Sequence, residues 1–232
     1  MIIWDNCKTG DSLMNNENKK PFFIVVDGLD GSGKTTICNY IAQKTKANYM
    51  RSFGQGAIGK TIREHFLKKT NNYNIDVSFN WVLSANLEAI YDYVIPALST
   101  GQSVVLDRYL SSTFAYQIAR IRKEPFDIEK CDDPKLLYFQ NLLSRVLEDA
   151  PVSLYLYCDV NIDTSLKRIS SRTDESNHYD LESKAQKLQT LMYYETFFKE
   201  TKIENKYKLD CNEPLETVFK KVDEVLSLYN YI

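Results

Sequence analysis

The stretch that decides the fold runs Phe22-Phe23-Ile24-Val25-Val26-Asp27-Gly28-Leu29-Asp30-Gly31-Ser32-Gly33-Lys34-Thr35-Thr36. Residues 22–27 form a short continuous apolar run, rich in β-branched residues, that stops at a glycine. That is the pattern of a strand buried on both faces. The next eight residues fit G-x-x-x-x-G-K-S/T with every fixed position filled, and a helix is predicted from about 34 to 44. Gly28, Gly31 and Gly33 let the backbone curl so that N–H groups, including those of Ser32 and Thr36, point inward at phosphate oxygens. The helix N-terminus adds its positive end. Lys34 supplies a point charge to the outer phosphates, and the Thr35 hydroxyl is placed to ligate Mg2+. A glycine-rich turn matches such a pattern by chance, but rarely with a buried strand before it and a helix after. The loop therefore indicates a nucleoside triphosphate.

Outward from this loop, apolar runs and periodic segments alternate. Strands are predicted at 48–52, 103–107, 152–158 and 207–210, and helices at 58–68, 77–98, 111–120, 136–147, 163–171, 184–200 and 215–229. In the long 77–98 segment Leu83, Leu87, Ile90, Tyr91, Val94 and Leu98 recur at three- and four-residue steps, and Gly101 follows as a stop. Strands alternating with helices predict an α/β fold, a five-stranded parallel sheet with helices on both faces and ligands at the C-terminal strand ends. Residues 1–20 are polar and aperiodic and read as a mobile extension; 21–232 read as a single domain. Residues 122–133 read as a loop between Pro125 and Pro134. The segment 173–179 is polar with no apolar anchor and falls in a small lid at about 170–182.

Composition excludes several classes. The 232 residues carry 29 basic and 31 acidic side chains, a net charge of -2, which argues against a nucleic-acid binder with a cationic footprint. No apolar run approaches the roughly 20 residues a membrane helix needs. The N-terminal residues hold no apolar signal core. The five cysteines (7, 38, 131, 158 and 211) show no CxxC pair and the only histidines are His65 and His178, so no Cys/His zinc spacing is present. An odd cysteine count without a signal points to reduced thiols in the cytoplasm. GTPase base-reading motifs such as N-K-x-D are missing, and the chain is short for a motor or helicase core. A small-molecule kinase remains.

A second motif follows the strand at 103–107: Asp107-Arg108-Tyr109-Leu110-Ser111-Ser112-Thr113-Phe114-Ala115-Tyr116-Gln117. It resembles the D-R-Y-x-x-S-x-x-A-Y-Q signature of thymidylate kinases. The phosphate loop also resembles that family's opening, with Asp27 where the family usually has Glu. Arg51, Gly54, Ile58, Gly59, Ile62 and Arg63 fall on R-E-P-G-G-T-x-I-G-x-x-I-R, while Ser52, Phe53 and Gln55 depart from it. Leu166-Lys167-Arg168-Ile169 with Arg172 resembles the lid entry, and the likeness runs in order from about 21 to 229.

The resemblance implies a P-loop nucleoside monophosphate kinase that passes the γ-phosphoryl group of ATP to a deoxynucleoside monophosphate, as a homodimer. Such transfer is almost all positioning and charge neutralisation. By resemblance, Arg108 holds the acceptor phosphate, and Arg51 is placed to share it through forked hydrogen bonds. Asp30 would orient the acceptor, and Asp107 would hold Mg2+ through water. Phe53, Ser112, Tyr116 and Gln117 would line the acceptor pocket, and Arg168 and Arg172 would swing onto the transferring phosphate. Each has a structural alternative: an ion pair for Arg108, a solvated helix face for Arg168 and Arg172, plain core for Tyr116.

The chain leaves the family in two places. Where members have F-x-A-x-R, an aromatic and an arginine that contact thymine, this chain reads Leu83-Ser84-Ala85-Asn86-Leu87. Replacing arginine by Leu87 removes five donors and a charge. Some members also carry a lid arginine in D-R-x-E; aligned on Glu182, that place holds Asp180. Others carry an arginine in the phosphate loop, where this chain has Gly31 and Ser32. The acceptor is then dTMP or a related or modified nucleotide. The competing readings are a kinase on a nucleoside or a modified base in DNA, and a catalytically weak nucleotide-binding regulatory protein.

Overall fold

The computed structural model describes residues 20–67, 73–121, 133–171, 179 and 182–232. Five strands, β1 Phe23–Gly28, β2 Asn48–Arg51, β3 Val104–Asp107, β4 Leu154–Asp159 and β5 Lys206–Asp210, form one parallel sheet in the order β2-β3-β1-β4-β5. β1 is central, between β3 and β4, and all six of its residues are buried. This is why it reads as an unbroken apolar run: neither of its faces meets water. β2 and β3 lie on one side of β1 and β4 and β5 on the other, so the strand order reverses beside β1 and a crevice opens at the C-terminal strand ends. Register brings the chemistry to that edge. Asp107 pairs with Val26 on one side and Arg51 on the other.

The helices are α1 Lys34–Thr45, α2 Ala57–Phe66, the composite α3 and α4, α5 Pro134–Asp149, α6 Ile162–Ser170, α7 Lys184–Glu200 and α8 Leu215–Leu228. α3 is α-helical over Ile75–Glu88, passes through a π-helical segment at Ala89–Val94 and returns to α over Ile95–Ser99. α4 does the same, with Leu110–Thr113, a π segment at Phe114–Ile118, and Ala119–Ile121. A single helix period cannot show such segments, so they are new relative to the sequence reading. Pro134 opens α5 instead of closing a loop: Asp133 caps the helix through Lys135 N and Leu136 N, and proline suits a first turn that needs no N–H. α7 starts at a capping box between Ser183 and Gln186. The expected extension at 1–19 and the loop at 122–132 lie outside the described residues.

One carboxylate pins three of these elements. Asp27, near the end of β1, is fully buried. Its Oδ1 accepts from Gly28 N (2.8 Å), Ser112 Oγ (2.7 Å) and Tyr194 OH (3.0 Å), and its Oδ2 from Tyr109 N (3.0 Å) and Ser111 Oγ (2.5 Å). β1, the start of α4 and the middle of α7 therefore converge on two oxygens. Replacing Asp27 by asparagine must turn an NH2 group toward one of these sets. The main-chain N–H of Gly28 or Tyr109 then faces another donor and is left unsatisfied. Asp27→Asn is expected to destabilise the fold by at least about 1–3 kcal/mol, read as a lower urea midpoint with an unchanged slope.

Candidate active site

The phosphate loop has the geometry its glycines allow. Gly28, Gly31 and Gly33 have φ of 148°, 78° and 90°. A side chain on Gly31 would press its Cβ to 2.7 Å from the Ser165 carbonyl oxygen, whereas one on Gly33 would meet nothing within 4 Å. The loop is thus packed on its outer side and open at the helix N-terminus. No side chain caps α1 there, so its first-turn N–H groups face an open cradle. Lys34 is buried and its Nζ donates to the Leu29 carbonyl at 2.8 Å. Burial, then Arg108, pushes the Lys34 ammonium below its ordinary range, against the pull of Asp30, Asp107 and Asp27. Ser32 Oγ is buried with no partner among the described residues. Thr36 is exposed on α1.

Opposite this cradle stands Arg108. It sits just past β3 with φ of 74°, a left-handed conformation unusual for arginine. Its guanidinium pairs with Asp30 inside the loop and donates to Ser112 Oγ at 3.3 Å. It also lies 5.6 Å from the centre of the Tyr116 ring. The Tyr116 hydroxyl donates to Asp30 Oδ2 at 2.9 Å. Burial works against the Arg108 cation, but Asp30 together with Tyr116, Tyr194 and Asp27 outweighs it and holds the group well above the usual arginine range. Arg108 is thus ion-paired, and the pair turns it toward the glycine loop.

A second cluster lies beside Thr35. Its hydroxyl donates to Asp107 Oδ2 at 2.6 Å, and Arg51 Nη2 stands 3.8 Å from the same oxygen. A hydroxyl and a carboxylate are the hard oxygen donors that suit magnesium, and Thr35 is exposed. Tyr49, which the sequence did not single out, donates to Asp107 Oδ2 at 3.1 Å. Burial, then Asp107, pushes the phenol up to about 12, so it keeps its proton and its role as donor. Arg168, on α6, reaches the Gly31 carbonyl with Nη1 at 3.4 Å. Its helix ends at Ser170, and Arg172 lies outside the described residues.

α2 adds a cation that the sequence reading left out of the site. The Glu88 carboxylate on α3 accepts from Ile58 N (3.0 Å) and Gly59 N (2.6 Å), holding the positive start of α2. A side chain on Gly56 would collide with that carboxylate. So docked, α2 presents Arg63, whose Nη1 donates to the Phe53 carbonyl at 3.4 Å and whose guanidinium lies 5.9 Å from the Phe53 ring. Burial, then Arg51 and Arg108, pushes Arg63 down to about 10. Three guanidiniums that repel one another at the mouth of a phosphate loop form a site shaped for an anion. The signal was present, as Arg63 closes the R-E-P-G-G-like stretch, but burial next to two other arginines is a tertiary fact.

These motifs, and the sheet that arrays them, are those of a known family. The thymidylate kinase family model matches residues 26–222. This chain belongs to the thymidylate kinase family. A thymidylate kinase of Leptospira borgpetersenii is 28% identical over 179 residues, covering 74% of this chain and 80% of that protein. One from Onion yellows phytoplasma is 26% identical over 212 residues, covering 88% and 96%. The fold matches a solved thymidylate kinase structure from Candida albicans with a TM-score of 0.69 at 18% identity, covering 91% of this chain and 93% of that one. As a member, the chain is a phosphotransferase, and ATP is the phosphoryl donor of that family.

Against the thymidylate kinase pattern, the α3 positions take a different form. Leu83 is buried and Leu87 half-buried against the core, both apolar. The residue between them that turns a polar group toward the D-R-Y segment is Asn86. Its amide donates to Thr113 Oγ1 at 2.9 Å and to the Val82 carbonyl at 2.7 Å, and accepts from the Ser52 hydroxyl. Among the described residues no helix is long and apolar enough to cross a membrane. If the arginine cluster holds the acceptor phosphate, Arg63→Gln raises the acceptor KM about tenfold and leaves the ATP KM nearly unchanged. Phosphate binding favours the charged form of Arg63. Acceptor affinity is therefore held from neutral pH, where the phosphate is fully charged, up to about 10 and falls as pH rises through it, and a titration of Arg63→Gln shows that fall flattened.

Proposed function

We propose that this chain transfers the γ-phosphoryl group of ATP to the phosphate of a deoxynucleoside monophosphate, dTMP before others, to give the diphosphate. The observation that carries this reading is the ion pair of Arg108 with Asp30. It aims an acceptor-side guanidinium at the loop that cradles the donor. The acceptor phosphate takes the place of Asp30 as partner to Arg108 and draws on Arg51 and Arg63. Asp30, released in part, stays tied to Tyr116 and orients the acceptor. Lys34 leaves the Leu29 carbonyl for the outer phosphates, and Gly28, Gly31, Ser32, Gly33, Thr35 and Thr36 line the donor side. Thr35 and, through water, Asp107 would hold Mg2+, which supplies charge neutralisation of those phosphates. Arg168, already at the Gly31 carbonyl, is the described lid-entry residue nearest the transferring group.

The surroundings support two further readings. α3 and α5 lie side by side, joined by the Asp76–Lys135 ion pair at one end and Tyr91 OH to Asp149 Oδ2 (2.7 Å) at the other. Val77, Leu137 and Tyr138 remain exposed on them, which suits a homodimer face. Cys38, Cys158 and Cys211 are free buried thiols, which suits a cytoplasmic setting.

An ADP-release assay across all deoxynucleoside monophosphates tests the function. Turnover is expected with dTMP. Replacing Arg108 by alanine is expected to lower kcat/KM for the acceptor by roughly 10²–10³-fold. Wild-type protein that turns over none of them, or that phosphorylates nucleosides faster, overturns the reading.

A further inference from the structure

Tyr49 lies on β2, and the register fixes which way its side chain goes. Tyr49 pairs with Val105 and Arg51 with Asp107. Side chains two apart in a strand share a face, so Tyr49 and Asp107 stand on the same side of the sheet, one step apart along it. The ring is half-buried against the core, and its hydroxyl donates to Asp107 Oδ2 at 3.1 Å.

Several groups converge on that one oxygen. Asp107 is 2% exposed, and a carboxylate so deep needs donors. Thr35 Oγ1 donates to Oδ2 at 2.6 Å. A hydroxyl has one proton and two lone pairs. Giving the proton to Asp107 leaves Thr35 its lone pairs, which are what a metal takes. The direction of the Thr35 oxygen thus depends on where Oδ2 stands. Arg51 is the looser hold: its Nη2 is 3.8 Å away, beyond hydrogen bonding, and its side chain is 38% exposed. On the reading above, Arg51 turns to the acceptor phosphate. The Tyr49 phenol carries no charge for a phosphate to draw away.

We infer that Tyr49 is a positioning residue for the Mg2+ site. It fixes Asp107 Oδ2, and Oδ2 fixes the Thr35 hydroxyl, so the two oxygen donors keep one arrangement when Arg51 leaves. Partners of this kind, one bond behind the ligands, set metal affinity without touching the metal. The inference rests on the nucleotide-kinase reading above and adds a residue that meets neither metal nor nucleotide. A phenylalanine at 49 would fill the same place in the sheet and leave Oδ2 without this anchor.

Equilibrium titration of wild type and Tyr49→Phe with the β,γ-imido analogue of ATP, once with Mg2+ and once with EDTA, tests it. The variant keeps the ring and removes only the hydroxyl. The wild type is expected to bind the analogue more tightly with Mg2+ than with EDTA. The variant is expected to lose about five- to tenfold of that gain, with its affinity in EDTA unchanged. In an Asp107→Asn background the same change is expected to reduce the gain no further. A gain within about twofold of wild type overturns the inference alone. So does an equal loss in Mg2+ and in EDTA, which is what a merely structural role would give, and so does a wild type that gains nothing from Mg2+. Wild-type protein that binds the analogue under neither condition overturns the nucleotide-kinase reading and this inference with it.

Discussion

Asp27 accepts five hydrogen bonds and meets no solvent, and the catalytic edge of the sheet is organised around it. A carboxylate this deep is tolerated only when its charge is spread over donors that cannot leave. Two of those donors are main-chain N–H groups, so Asp27 fixes backbone and not merely side chains. Arg108 shows what this achieves. Its own N–H donates to the Val26 carbonyl at 3.0 Å, and the following N–H, that of Tyr109, is bound by Asp27. With both amides held, residue 108 stays in a left-handed conformation that costs about 1–3 kcal/mol for a residue with a side chain. The strain sits at the residue whose direction matters most.

Charge at the site is arranged in the same spirit. Asp30 and Asp107 face Lys34, Arg51, Arg63 and Arg108, leaving an excess of positive charge that only a ligand can balance. Arg63, lowered first by burial and then by Arg51 and Arg108, registers the imbalance in part, and Arg108, raised by Asp30 and its neighbours against burial, registers local relief. The crowding is possible because α2 is anchored by something other than its arginine. Glu88 holds its first turn, and the absence of a Cβ at Gly56 lets the two elements approach closely enough. Anchoring and ligand binding are thus divided between opposite ends of one short helix.

Most of the architecture was legible because its signals are local. β1 is apolar on both faces, the glycine loop has fixed spacing, and α7 begins and ends where its caps and periodicity place it. The central features of the site, the loop with Lys34 and Thr35 and the Asp107-Arg108 pair, were legible for the same reason. What was not legible depends on partners far apart in sequence. Tyr49 matters through an aspartate 58 residues away, and Tyr179, buried in a segment that reads as unanchored, bonds a glutamine 62 residues away. Asn86 was passed over for Leu83 and Leu87 because spacing alone does not say which side of a long helix faces the D-R-Y segment. Arg63 was counted as part of a motif and not as a cation, since nothing in the chain announces that two other guanidiniums lie nearby.

The π-helical segment within α4 closes on a point about heredity. Such a segment behaves like one residue inserted into an otherwise regular helix, and every side chain beyond it is turned by about 100° relative to the residues before it. Tyr116 and Gln117 lie inside that segment, one bonded to Asp30 and the other to Tyr179. Among relatives, then, gain or loss of a single codon in this stretch would act as a rotation and not as a change of length. It would exchange the functional groups shown to a nucleotide while sparing the sheet beneath.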